Sequence, residues 1–184
     1  DEADIVIGQN HRRFDIKKIN TRLLLNGYKP YSPIRLVDTF EVAKKTFGFP
    51  SNKLQYMSSV ATDTPKLTHK KFPGWELWLE CLKDNPEAWA EMKRYNIRDV
   101  EATAELYLEF LPWITPHPNV GTYIEDKDLR CTKCGSNRLQ RRGRAVCQQG
   151  TYARYQCNDC GGWSRGKATE LPLNVRRGLL TNIA

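Results

Sequence analysis

The chain has 184 residues, 40% apolar and 27% charged, with a net charge of +8; that suits one compact domain plus a small module. No apolar run approaches the roughly 20 residues of a membrane span. No succession of basic, apolar and small residues marks a secretory signal, so a cytoplasmic protein with no membrane partner is expected.

The first residue is Asp1, not Met, directly ahead of an apolar run; this reads as a cut inside a domain. Asp4 to Gly8 reads as a short buried strand, Ile5-Val6-Ile7 ending at glycine. Phe14 to Asn26 sets Phe14, Ile16, Ile19, Leu23 and Leu24 on a helical period, with Gly27 as the stop. Ile34 to Asp38 is a second strand, and Thr39 to Phe47 a helix closed by Gly48 and Pro50. Lys53 to Val60 is a short helix leading into a loop that reaches Gly74. Trp75 to Leu82 and Pro86 to Phe110 are the clearest helices. The second has Asp84-Asn85-Pro86 as its entry and Trp89, Met92, Ile97, Val100, Leu106 and Phe110 as apolar positions. Strands alternating with helices predict an α/β domain over residues 1–111, helices packed on a sheet.

Pro112, Pro116, Pro118 and Gly121 break the pattern and put a linker at 112–128. Arg138 to Gln140, Ala145 to Gln148 and Thr151 to Gln156 then read as strands of a small β module, 129–170, before a tail at 171–184. A module that small needs a staple besides its core. Cys131-Thr132-Lys133-Cys134-Gly135 and Cys157-Asn158-Asp159-Cys160-Gly161 supply it. Two CxxC pairs, each followed by Gly, put four thiolates on two tight turns, the donor set of one tetrahedral structural zinc. Disulfides are disfavoured by the absent secretory context. Cys81 and Cys147 read as plain core or half-buried thiols.

The charge is uneven. Residues 1–112 carry 17 Lys and Arg against 16 Asp and Glu, and residues 113–184 carry 12 against 5. Around the cysteines Arg130, Lys133, Arg138, Arg141, Arg142, Arg144, Arg154, Arg165 and Lys167 interleave with Tyr152, Tyr155 and Trp163. Basic groups neutralise phosphates and aromatic faces accept bases, so a nucleic-acid partner is expected, DNA ahead of RNA. The alternative is a ribbon that docks protein.

In the first domain, Asn10-His11-Arg12-Arg13-Phe14-Asp15 follows the first strand, and Tyr95-Asn96-Ile97-Arg98-Asp99 puts a phenol and a carboxylate on one face of the long helix. Asn10 can bridge backbone groups in its turn, and Phe14 can anchor the helix to the sheet. Two acids beside a hydroxyl are what a metal-dependent phosphodiesterase needs. His11 and His69 read as surface or loop residues, and His117 lies between two prolines. Lys70 and Lys71 lie on the loop before Trp75, where a solvated loop competes with phosphate contact.

Asn10, Phe14 and Asp15 resemble the second motif, and Tyr95 and Asp99 the tyrosine form of the third motif, of the DEDD exonucleases. These are the DnaQ-like 3′–5′ exonucleases of the ribonuclease H-like fold, which include proofreading domains of family-B DNA polymerases. Asp38-Thr39 is similar to the Asp-Thr often found between these motifs, and the likeness covers roughly residues 3–111. The cysteine module, with Arg154-Tyr155-Gln156-Cys157, Trp163 and Arg165, resembles the zinc ribbon appended to phage exonucleases of this kind.

The resemblance implies a ribonuclease H-like domain with a truncated sheet, followed by a zinc ribbon, acting in a bacterial host or a phage-infected cell. It implies two Mg2+ or Mn2+ ions, Asp15 and Asp99 as ligands, Tyr95 orienting water, and replication proteins as partners. Asn10, Phe14, Arg142, Arg144, Tyr155 and Arg165 are the candidate substrate-binding residues. The family's first motif, Asp-x-Glu on the opening strand, has no match in Asp1-Glu2-Ala3-Asp4. The chain alone is therefore expected to hold half a metal site and to be inactive. The rival readings are a non-catalytic nucleic-acid-binding adaptor and a structural subunit of a replication complex.

Overall fold

The computed structural model describes residues 3–148 and 150–180. Asp1 and Glu2, and the end of the expected tail at 181–184, lie outside them. The chain forms two compact units that divide between Phe110 and Leu111.

The first unit is α/β. Strands β1 (Ile5–Gly8) and β2 (Arg35–Asp38) pair in parallel, Ile5 opposite Arg35 and Gly8 opposite Asp38. Helix α1 (Asp15–Leu25) lies in the crossover that parallel neighbours require. β2 runs into α2 (Thr39–Thr46), where the Asp38 carboxylate caps the first turn by accepting from the Phe40 N–H at 3.0 Å. Helices α3 (Leu54–Ala61), α4 (Glu76–Leu82) and α5 (Pro86–Phe110) follow. At the start of α5, Asp84 turns the chain with a φ of 57° and Asn85 Oδ1 accepts from the Glu87 N–H. Pro86 takes the first helical position, where a missing N–H is harmless.

The long helix organises the unit, packing against α2, α3, α4 and β1. Phe110, at its end, meets Phe47 at 4.8 Å and Phe49 at 6.1 Å between ring centroids. At its other end Ala88 joins Phe72, Leu77 and Cys81 in a buried cluster, with Met92 against it. Cys81 is thus a core thiol.

The apolar stripe of α1 is not buried. Leu24 is 77% exposed, and Phe14, expected to anchor the helix, is exposed, with the Lys18 ammonium over its ring at 5.8 Å. Ile97 and Val100 on α5 are exposed as well. The reason is the sheet: among the described residues β1 pairs on one edge only, with β2, so the apolar periodicity formed helices without a sheet wide enough to cover them.

The second unit carries a three-stranded antiparallel sheet, β3 (Leu139–Cys147), β4 (Gly150–Cys157) and β5 (Trp163–Thr169), in that order, then the short α6 (Leu173–Arg177). The two strands expected at 138–140 and 145–148 are one strand. A bulge between Arg141 and Arg144, where Gly143 takes a φ of 69°, absorbs the break in alternation. β5 and α6 were not foreseen, because Trp163–Thr169 alternates too few apolar residues to register as a strand. Residues 112–128 supply part of this unit: the Val120 N–H donates to Thr132 O at 2.9 Å. Besides cysteines, Leu111 and Ile114 are the buried apolar side chains among the described residues of this unit. Two such side chains contribute only about 3–6 kcal/mol, so the sheet needs another source of stability.

Candidate functional site

The four cysteines are placed to supply that source by holding a metal. Two identical turns hold them: the Gly135 N–H donates to Cys131 O and the Gly161 N–H to Cys157 O, each at 3.0 Å. Gly135 and Gly161 adopt φ of 76° and 72°, the left-handed conformation such turns need. All four sulfurs lie within 4.8 Å of one another. Cys131 and Cys160 sulfurs are 3.6 Å apart, as are those of Cys134 and Cys157. A tetrahedron with metal–sulfur bonds of about 2.3 Å has edges of about 3.8 Å, so the tetrad is shaped for a metal such as zinc.

Backbone amides favour thiolate here. The Lys133 N–H points at Cys131 Sγ at 3.5 Å and the Gly162 N–H at Cys160 Sγ at 3.4 Å. Burial works against ionisation of Cys157, but the Asp159 and Cys160 amides and the neighbouring thiols outweigh it and bring the group to about 7. Burial pushes Cys134 and Cys160 up. Lys133, expected among the nucleic-acid contacts, is instead buried beside the tetrad. Burial lowers its pKa against the pull of Cys160 and Cys131. Its stem crosses Gly162, where a Cβ would come within 2.8 Å of Lys133 Cδ. A buried ammonium offsets the negative charge that four thiolates leave around a divalent ion. Because thiols must lose protons to bind, zinc affinity will rise with pH between about 6 and 8. Competition titrations against a chelating dye check this; affinity that stays flat with pH contradicts it.

In the first unit, Asp15 and Asp99 line one cleft of about 640 Å³, with Gln9, His11, Lys66 and Asn96 among its other walls. Asp15 opens α1 at the end of the β1 turn. Asp99 lies mid-way along α5, its side chain 24% exposed. The Lys66 ammonium reaches Asp99 Oδ2 at 2.9 Å, whereas Asp99 Oδ1 is buried and has no hydrogen-bond partner. Tyr95, one turn earlier, lines an adjoining hollow of about 510 Å³ that shares Lys66. Burial opposes the charge on Lys66, but hydrogen bonds to Tyr95 and Asp99 outweigh it and hold the ammonium above its ordinary pKa. Among the described residues no third acid joins Asp15 and Asp99; the cysteines form the one group of three or more metal-ligating side chains.

The turn between β1 and α1 is organised differently from the expectation for Asn10. Asn10 takes a φ of 56°, a conformation asparagine tolerates, and its N–H donates to Asp38 Oδ1 at 2.8 Å. The Arg12 N–H donates to Asp38 Oδ2 at 3.1 Å. Asp38, not Asn10, therefore bridges the turn and the α2 cap together. His11, expected at the surface, is 5% exposed. Its ring packs over Gly8, and its Nδ1 lies 3.4 Å from Asp38 Oδ2. Sequence reasoning missed His11, Asp38 as the hub, and Lys66; a buried acid at a strand end followed by Thr was the available signal. Asp38→Ala will lower the unfolding free energy of this unit by about 3 kcal/mol, since it strands three amides. Gly8→Ala will cost about 2 kcal/mol, because a Cβ would come within 2.8 Å of His11 Cγ. Denaturant titration reads both.

The remaining predicted contacts separate. Strand register puts Tyr152, Arg154, Trp163 and Arg165 on one face of the β4–β5 ribbon and Tyr155 on the other. Arg165 stacks over Tyr152 at 4.1 Å, and Arg154 lies over Trp163 at 5.1 Å. Arg144, paired with Ala153, falls on the Tyr155 face, where it and Arg141 engage Glu170. Arg142 offers its backbone carbonyl to Arg154 Nε at 2.8 Å. Arg130 and Arg138 are tied to Asp126 and Asp159.

Comparison of the chain with family models, curated proteins and solved structures found no match. Among the described residues no helix is long and apolar enough to cross a membrane.

Proposed function

We propose that this chain belongs to a metal-dependent 3′–5′ exonuclease of ribonuclease H-like fold, with its cysteine module a zinc ribbon that assists nucleic-acid binding. The observation that carries the reading is the convergence of Asp15 and Asp99 on one cleft. The parallel β1–α1–β2 unit, with α5, the helix that bears Tyr95 and Asp99, packed against β1, supports it. The buried, unpartnered Asp99 Oδ1 is an oxygen donor without a proton donor, and hard oxygen donors fit Mg2+ or Mn2+.

Asp99 and Asp15 would hold the cations, with the Asp-x-Glu pair of the resemblance completing the set. Bound divalent cations supply activation of water and stabilisation of the leaving oxygen. Lys66 fixes one oxygen of Asp99 at 2.9 Å, and the same ammonium lies 4.7 Å from the centre of the Tyr95 ring. Tyr95, in the adjoining hollow that shares Lys66, would orient water at a 3′-terminal phosphodiester. Asp38 and His11 keep the turn before Asp15 rigid.

The test is the intact protein on 3′-labelled DNA and RNA, with and without Mg2+. Metal-dependent release of mononucleotides is expected, and its absence on both substrates overturns the reading. One observation favours a second reading, a non-catalytic nucleic-acid-binding adaptor: among the described residues the acids number two, and a lysine already neutralises one of them.

A further inference from the structure

Beside the cleft four aromatic rings form a continuous run that the hydrolytic reading does not use. Tyr95 meets His69 at 5.3 Å between ring centroids, His69 meets Trp78 at 5.3 Å, and Trp78 meets Trp75 at 5.4 Å. The inner end meets the Lys66–Asp99 pair at Tyr95, whose ring centre lies 4.7 Å from the Lys66 ammonium. The outer end, Trp75, is 77% exposed. The run is anchored, not loose: His69 Nδ1 lies 2.6 Å from Phe72 O, and Phe72 belongs to the buried cluster with Leu77 and Cys81. Gly74, with a φ of 59°, turns the chain so that Trp75 stands at the head of α4.

Clustered exposed tryptophans are costly on a free surface and mark a binding face. The surroundings select the ligand. Residues 64–75 carry Lys66, Lys70 and Lys71 and no acid. Lys71 is engaged by Glu87 and Lys66 by Asp99. Lys70 is exposed and has no acidic partner among the described residues. The hollow between Lys70, His69 and Tyr95, about 510 Å³, falls in the size range of small-ligand sites. Flat faces alternating with a free ammonium fit bases and phosphates together.

We infer that Trp75 and Lys70 form a subsite for single-stranded nucleic acid, Trp75 stacking a nucleobase upstream of the 3′ end and Lys70 contacting its phosphate. A base inside a duplex has both faces covered, so this subsite selects unpaired ends. The inference rests on the nucleic-acid part of the proposed function and deepens it by naming the substrate class.

The test measures equilibrium binding of the full chain, with Ca2+ in place of Mg2+. The probes are a 5′-fluorescein-labelled oligothymidylate and an abasic oligonucleotide of equal length and charge. The wild-type protein should prefer the base-bearing strand by about tenfold. Trp75→Ala should remove most of that preference and Trp75→Phe should keep it. Lys70→Ala should weaken both probes alike. Equal wild-type affinity for the two probes, or a preference undiminished in Trp75→Ala, overturns the inference. A Trp75-dependent preference in a protein that never cuts sustains the inference and overturns the nuclease reading alone.

Discussion

If the cysteine tetrad holds zinc, stripping it, or replacing Cys157 by Ser, will unfold the β3–β5 sheet. Cys157 and Cys131 are among the most deeply buried side chains of their unit, and its aliphatic core rests on Leu111 and Ile114. Metal binding contributes about 10–16 kcal/mol to small zinc modules at neutral pH, as much as the whole stability of an ordinary domain. Without it, the buried Lys133 ammonium would also lose the thiolates that offset its charge. The measurement is the dispersion of amide signals of β4 and β5 before and after chelation. Collapse to random-coil positions, with the signals of α5 unchanged, is expected. Dispersed signals after complete zinc loss would mean that the cysteines merely decorate a fold held by other forces.

The second large effect concerns Asp99. If the proposed function holds, Asp99→Asn in the intact protein will reduce Mg2+-dependent release of mononucleotides by about a thousandfold, the scale on which a lost transition-state stabiliser acts. The substitution keeps the side chain's shape but removes its charge, leaving Lys66 without its ion-pair partner. Tyr95→Phe will cost less, because the ring contacts to His69 and Trp78 survive and only the hydroxyl is lost. Asp15→Asn should match Asp99→Asn. Activity retained in Asp99→Asn would rule out the assignment of this carboxylate.

Much of the secondary structure was legible because local signals and long-range packing agree. Pro86 behind Asn85 marks the start of α5, and Gly27 follows the end of α1 with a φ of 73°. The CxxC-Gly pairs specify their own turns, so the metal tetrad could be read from spacing alone. Three things could not. The burial of His11 depends on Gly8 having no Cβ and on Asp38 arriving from β2, a contact between strands that no local pattern records. Lys66 reaches Asp99 from a loop without periodicity. The sorting of Tyr155 and Arg165 onto opposite faces depends on the β4–β5 register, which sets Arg165 opposite Arg154 and Ser164 opposite Tyr155. The exposure of Phe14 and Leu24 has the same origin: periodicity says that a helix has an apolar face, not what lies against it.

The most direct measurement is anomalous diffraction from crystals of the intact protein grown with Mn2+. The nuclease account predicts manganese in the cleft, bound by Asp99 and with a second ion beside Asp15. A cleft in which Lys66 still holds Asp99 and no manganese appears would contradict it, while zinc at the cysteines would stand regardless.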